Sequence, residues 1–216
     1  MTTIAVFGAA GNIGSRIVAE ALRRGHQVTA VAGDPSRITD RPAGLRVLQG
    51  RVFDPDVVAD VLKGQDAVVL ALGGAHVTGD TDTYRRAGRT LVEALRGLGD
   101  AAPRLLVVGG AGSLERAPGV RVIDDPDFPA AYRPEAEAQG YALDFYRTVT
   151  DVAWTYLSPA EVIAPGDRTG TYRTGTERPV ADAEGDSRIS MEDYAVAMID
   201  EIENPRFPGR RFTVGY

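Results

Sequence analysis

A chain of 216 residues with a net charge of -6 and 25% charged residues has the size and balance of one ordinary soluble domain, residues 1–216, and its acidity argues against nucleic acid or an anionic membrane as the main partner. It has no cysteine and only His26 and His76 as histidines, which excludes disulfides and thiolate catalysis and leaves no metal site to expect. No apolar run approaches the ~18 residues of a membrane span, and no basic-then-apolar leader opens the chain, so a cytoplasmic protein is expected.

Thr3-Ile4-Ala5-Val6-Phe7 is a short apolar run with β-branched residues, suited to a buried parallel strand. It runs into Gly8-Ala9-Ala10-Gly11-Asn12-Ile13-Gly14 and then into a helical pattern of Ile13, Ile17, Val18, Ala21 and Leu22. Strand, glycine turn and helix in that order are what dinucleotide binding requires. Gly8 permits the tight turn, Gly11 lets a pyrophosphate approach the backbone, and Gly14 lets helix and strand pack closely. The N–H groups of Asn12 and Ile13, with the positive end of the helix dipole, then face the phosphates. The spacing is G-x-x-G-x-x-G, not the commoner G-x-G-x-x-G.

Further along, Gln27–Ala32 reads as a second strand and Asp34-Pro35 as the capped start of a short helix. Leu45–Gln49 is a third strand, and Asp54-Pro55 opens a helix to Leu62 with Asp as N-cap. Asp66–Leu72 is a fourth strand, ending in Gly73-Gly74. A longer helix covers roughly Thr81 to Leu98, and Arg104–Val108 is a fifth strand running into Gly109-Gly110-Ala111-Gly112-Ser113. Strands alternating with helices call for an α/β fold with a doubly wound parallel sheet, a Rossmann fold, whose ligand lies at the carboxyl ends of the strands.

The second half differs. Residues 118–134 read as a Pro- and Asp-rich loop, 134–149 as a helix, and Val152–Leu157 as a sixth strand with Ser158-Pro159-Ala160 on the ligand side. Residues 166–185 suggest short strands or a hairpin. Ser190 to Glu203 reads as a solvated helix with a capping box, Ser190 against Asp193 or Glu192, and Phe212-Thr213-Val214 as a last strand. A small C-terminal substrate lobe is expected from roughly 114–134 and 158–190.

With these motifs in hand, the chain resembles the atypical short-chain dehydrogenase/reductases with an NAD(P)H-binding domain, in particular the NADH-flavin reductase group. That group is similar to biliverdin-IXβ/flavin reductase and, more distantly, to NmrA-like redox sensors. The resemblance rests on Gly8-Ala-Ala-Gly11-Asn12-Ile13-Gly14, Asp54-Pro55, Val107–Ser113, Asp151–Ala160, Pro165–Gly170 and Ile189–Ala195, nearly the whole chain. It implies a cofactor laid over Gly8, Ala10, Gly11, Asn12, Ile13 and Gly14, then Gly33 and Arg37. Phe53 and Asp54 would lie by the adenine, Leu72, Gly73 and Gly74 under the ribose and nicotinamide, and Ser113, Pro159 and Ala160 along the nicotinamide. Asp54 as a plain N-cap is an equally good reading, and both can hold.

Cofactor choice turns on the end of the second strand, where an acid suits the 2′-OH of NAD and arginine a 2′-phosphate. The family often has arginine where this chain has Gly33. Arg37 matches a second arginine of the flavin-reductase relatives, while Asp34 has capping as its simpler role, so NADP(H) is favoured over NAD(H).

For catalysis, Ser113 matches the serine of Ser-Tyr-Lys chemistry, but residues four beyond Tyr132 and Tyr141 are Ala136 and Phe145, and the single lysine is Lys63. Alcohol dehydrogenase chemistry is therefore disfavoured. Hydride transfer to a flavin, quinone or similar conjugated acceptor is expected instead, with Ser113, Tyr132 and His76 as candidate catalytic residues. Ser113 can equally be a turn serine and His76 a solvent-facing loop residue. Trp154 reads as core, and Arg168 and Arg173 as surface pairs or anion ligands. The alternative activity is a non-catalytic NAD(P)(H)-binding redox sensor of the NmrA-like kind. A monomer or homodimer fits either reading.

Overall fold

Each apolar run is joined to the next through a helix rather than a tight turn, so the strands must pair in parallel. In the computed structural model the backbone of residues 1–216 is described, together with every side chain except those of His76 and Val77. With strands numbered in chain order, the central sheet runs Arg173–Gly175 (β10), Arg210–Gly215 (β12), Trp154–Ser158 (β8), Arg104–Val108 (β5), Ala67–Leu70 (β4), Thr3–Phe7 (β1), Gln27–Ala32 (β2) and Leu45–Gln49 (β3). All neighbours are parallel except the edge pair β10–β12. The chain leaves β1 outward to β2 and β3, then returns to the other side with β4. Between β1 and β4 the direction of winding reverses, which is where such sheets open a crevice for a ligand.

Alternate residues of each strand face opposite layers. Ile4 and Val6 meet helices Asn12–Arg23 (α1) and Met191–Glu203 (α6) on one face. Ala5 and Phe7 join the core under Pro55–Leu62 (α2), Thr83–Leu98 (α4) and Arg133–Arg147 (α5) on the other, with a short helix, Ala75–Thr78 (α3), after β4. Trp154 is core, its indole N–H donating to the Val149 carbonyl at 2.9 Å.

Residues expected in the lobe supply two small sheets. Glu115–Ala117 (β6) pairs with Val120–Arg121 (β7), and Val162–Ala164 (β9) with Arg188–Ser190 (β11). The polar stretch 166–185 carries a short strand, the first of its two expected alternatives, and this strand, β10, extends the main sheet along β12 and forms no hairpin within the stretch. Two other expectations need correction. Helix α6 is not solvated: Asp193 is 0% and Glu201 2% exposed, because distant groups satisfy both carboxylates. Asp193 accepts from Thr169 Oγ1 (2.5 Å), Gly170 N (2.8 Å) and the Tyr216 hydroxyl (2.8 Å). The capping box is therefore only half formed. Ser190 Oγ accepts from Asp193 N at 2.9 Å, but the Ser190 N–H goes to the Tyr216 hydroxyl.

Candidate functional site

The loop between β1 and α1 is built on two glycines that no other residue can replace without movement. Gly8 has φ +81°, and a Cβ there would stand 2.2 Å from the Ala71 carbonyl oxygen on β4's extension. A Cβ on Gly14 would stand 2.2 Å from the Gly8 carbonyl oxygen. The loop is pinned by Gly8 N and Ala9 N, both donating to the Val31 carbonyl (3.1 and 3.2 Å), and by Gly11 N donating to Gly8 O at 2.9 Å. Gly11, at φ -80°, caps α1 without any side-chain hydrogen bond, and the first turn holds no acid. Two other helices do have side-chain caps, Asp54 accepting from Asp56 N and Val57 N at α2 and Ser190 from Asp193 N at α6, whereas α4 and α5, like α1, start without one. The bare start of α1 thus leaves backbone donors and a positive dipole end turned to the crevice, a cradle suited to a pyrophosphate.

That crevice has a volume of about 650 Å³, within the range of small-molecule sites. Gly11, Asn12, Ile13 and Arg37 line one end, and Leu72, Gly73 and Gly74 its floor beyond β4. Residues Val108 to Gly112, Pro159 and Ala160 line it beyond β5 and β8. Val122, Phe128, Tyr132, Ala136, Ile163 and Met191, with Glu135, Gln139 and Glu161, complete the far end. A second cavity lies at the carboxyl ends of β2 and β3, where Gly33, Arg51, Phe53 and Asp54 meet. Asp54 there serves as the α2 cap, accepting from Asp56 N at 3.1 Å, and the Arg86 guanidinium lies 5.2 Å from the Phe53 ring centre.

Most of the expected cofactor residues are therefore brought to one sheet edge. Gly8 and Gly14 shape the loop by packing rather than by lining the crevice, and Ala10 lies half-buried between them. Asp34 is committed to capping: it accepts from Ser36 Oγ (2.6 Å) and Ser36 N (3.1 Å), and these bonds hold its carboxyl below the usual range. Arg168 is tied to Glu20 at 2.8 Å, and Arg173 donates to the carbonyls of Ala181 and Tyr216.

Ser113 is the exception. Its hydroxyl turns from the crevice and accepts from Nη1 of Arg211 at 2.9 Å, across 98 positions of sequence. Arg211 is itself 3% exposed, so this buried guanidinium claims the serine, which lines a separate small cavity with Arg121 and Asp124. Tyr132 does reach the rim of the crevice, 59% exposed. The His76 side chain lies outside the described residues.

Several lining residues carry no signal on their own. Glu135, Ala136 and Gln139 stand on α5, and Tyr132 is its N-cap, so the four are spaced 0, 3, 4 and 7 along one face. The Tyr84 hydroxyl, from α4, donates to Glu135; burial and this carboxylate push the Tyr84 phenol far above its usual pKa. The Tyr156 hydroxyl donates to Gln139 Oε1 at 2.8 Å and its carbonyl at 3.0 Å, and full burial likewise raises its pKa. Both crevice side chains are thus oriented by neutral, buried phenols. Arg51 is a further missed residue: its Nε lies 3.8 Å from where a Cβ on Gly33 would be.

The chain compares with known proteins along its whole length. It is 41% identical to the protein YwnB of Bacillus subtilis over 215 residues, 98% of this chain and 97% of that protein. A solved structure from Burkholderia pseudomallei, provisionally named an exported protein, is 44% identical with a TM-score of 0.87 and full coverage of both chains. One from Streptococcus pneumoniae, provisionally named an NADH-flavin reductase, is 32% identical with a TM-score of 0.88, covering 100% of this chain and 99% of that one. The family model for NAD(P)H-binding proteins matches residues 8–205, and with the uncapped glycine loop at the switch point this shows that the chain belongs to the NAD(P)H-binding family.

Proposed function

We propose that the protein is an NADP(H)-dependent reductase that passes hydride to a flavin, quinone or similar conjugated acceptor. The observation that carries the reading is the division of the crevice. One end is a phosphate-binding loop; the other is a largely apolar chamber without a Tyr-x-x-x-Lys pair. Bound reduced nicotinamide supplies a hydride from its C4. Asn12 and Ile13 N–H groups would hold the pyrophosphate, while Gly73, Gly74, Pro159 and Ala160 would wall the nicotinamide. An added Cβ at Gly73 or Gly74 meets nothing within 4 Å, which leaves that floor open to a flat ring.

Conjugated acceptors delocalise incoming charge over their own rings and take their proton from water. They need orientation and exclusion of bulk solvent more than a tuned acid. Phe128, Tyr132 and Met191 supply a surface for such a ring, and Gln139 and Glu135 supply fixed polar atoms at its edge. The provisional flavin-reductase name of the Streptococcus pneumoniae protein supports the same acceptor class. Preference for NADP(H) is supported by Arg37 and by Arg51. The latter reaches from just past β3 to the space beside Gly33.

The test is NADPH and NADH oxidation followed by nicotinamide absorbance, with riboflavin, flavin mononucleotide and a quinone panel. Turnover near the enzyme median of about 10 per second supports catalysis. Rates no better than free cofactor with every acceptor, despite tight cofactor binding, would favour a redox sensor.

A further inference from the structure

We infer that the side-chain amide of Gln139 donates a hydrogen bond to a carbonyl oxygen of the acceptor and stabilises the charge that hydride transfer builds there, with Tyr156 as the residue that positions it. This deepens, and rests on, the hydride-transfer reading. Gln139 is 5% exposed and lines the crevice. The Tyr156 hydroxyl sets which way its amide faces, donating to Oε1 at 2.8 Å and to the Gln139 backbone carbonyl at 3.0 Å. The amide oxygen is thereby held at the buried phenol. Its Nε2 has no hydrogen-bond partner among the described residues and keeps access to the crevice. A sheltered N–H group without a partner is a site that a ligand oxygen completes. Two successive glycines past β5 make room for the pair. A Cβ on Gly109 would stand 2.0 Å from the Tyr156 ring, and one on Gly110 3.1 Å from Gln139 Cβ. Because β5 lies between β4 and β8, Gly110 and the amide against it lie between the Gly73–Gly74 floor and Pro159–Ala160. That is the stretch where an acceptor would meet the nicotinamide.

Hydride transfer puts such a donor to use. An acceptor takes hydrogen with its bonding electron pair from the C4–H bond of the reduced nicotinamide and forms a new bond to it on its own ring. The nicotinamide is oxidised, and the acceptor is reduced by two electrons to an anion. In a quinone or a flavin the new charge is shared with a conjugated carbonyl oxygen until water supplies the neutralising proton. A fixed N–H at that oxygen strengthens as the charge develops, so it lowers the barrier more than it tightens binding. Gln139 gives up no proton; it holds the oxygen and, through it, the orientation of the ring. Among the described side chains at this end, Glu135 and Glu161 offer carboxylate oxygens, Tyr132 stands at the exposed rim, and the others are apolar. Gln139 is the sheltered side-chain donor among them.

Gln139→Met keeps the length of the side chain and removes the donor, and Tyr156 retains the residue 139 carbonyl as its partner. With NADPH and either naphthoquinone or riboflavin, kcat should fall about tenfold or more. The acceptor's KM should change less, and NADPH affinity by titration should stay at the wild-type level. Infrared difference spectra of naphthoquinone on the NADP-loaded protein, where no turnover occurs, read the bond itself. The carbonyl stretch should be lowered on the wild type and return toward that of free quinone in Gln139→Met. Tyr156→Phe keeps the ring that Gly109 accommodates and frees the amide to turn, so the stretch should move the same way. It carries the test should Gln139→Met not fold. An unchanged kcat, or a carbonyl stretch that neither substitution moves, would overturn the inference. A fall in kcat matched by lost NADPH affinity marks general damage and counts against it. If no acceptor is turned over, the reductase reading fails by itself, and the infrared comparison decides the inference separately. A bound carbonyl shifted by Gln139 upholds it; one left unshifted, or a quinone that does not bind, overturns it.

Discussion

Replacing Gly14 and Gly11 by alanine should separate packing from ligand binding within one loop. At Gly14 the new methyl would sit 2.2 Å from the Gly8 carbonyl oxygen and 3.2 Å from Ala9 Cα. Both are backbone, so the loop and α1 must part by roughly 1 Å. Overpacking of this kind costs about 1–3 kcal/mol, offset by up to about 1 kcal/mol from the better helix propensity of alanine. The net, about 1–2 kcal/mol, corresponds to a fall of about 2–8 °C in Tm for a domain of this size. At Gly11 the methyl would lie 3.2 Å from the Gly8 oxygen, with φ at an ordinary -80°. Gly11→Ala should therefore lose less than about 1 kcal/mol of stability. Its methyl would nevertheless stand where a pyrophosphate must approach, so NADPH affinity should fall about tenfold or more. Differential scanning calorimetry and isothermal titration on both variants check the pair. A Gly11→Ala protein with unchanged affinity would refute the cradle, and a Gly14→Ala protein with unchanged Tm would refute the packing argument.

Three further outcomes are expected. Arg37→Ala and Arg51→Ala should each weaken NADPH about two- to fivefold and leave NADH unchanged, since exposed ion pairs contribute at most about 1 kcal/mol each; paired titrations measure this. Glu20 is a buried carboxylate; burial opposes its ionisation, but hydrogen bonds from Arg168, Arg23 and Arg24 overcome this and hold its pKa far below the usual range. Glu20→Gln should cost about 3–5 kcal/mol in urea unfolding near neutrality. Because the folded pKa is depressed, that advantage is full above the unfolded value of about 4.3 and declines as pH falls below it, so the two proteins should converge in acid. Asp193→Asn, which weakens three hydrogen bonds at a fully buried carboxylate, should lower stability by about 2–3 kcal/mol and speed proteolysis near Thr169.

The residues that announced the fold are those whose partners lie close in sequence. Gly8, Gly11 and Gly14 sit between a strand and a helix that are contiguous with them. Asp34 and Asp54 cap the residues two or three positions on. Helix α6 is buried because its acids find partners outside the helix: Asp193 finds Thr169, Gly170 and Tyr216, and Glu201 finds the distant Arg104 at 3.1 Å together with the N–H groups of Arg206 and Phe207 just past the helix end. Ser113 belongs to the site by resemblance alone; Arg211, on β12 near the end of the chain, draws its hydroxyl away. Glu135 and Gln139 stayed hidden because their orientation depends on Tyr84 and Tyr156, whose burial only the packed sheet establishes. The glycines at the end of β5 carry a similar lesson. Gly109 and Gly112 edge the crevice, yet a Cβ would strike Tyr156 at 2.0 Å and Ala136 at 2.6 Å, so packing alone requires them.

The most direct test of the account is isothermal titration of the unmodified protein with NADPH and NADH. Binding of both, with NADPH the tighter and the difference removed in the Arg37→Ala, Arg51→Ala double variant, is the expected result. Failure to bind either nucleotide would contradict the assignment of the Gly8–Gly14 loop as a cofactor cradle.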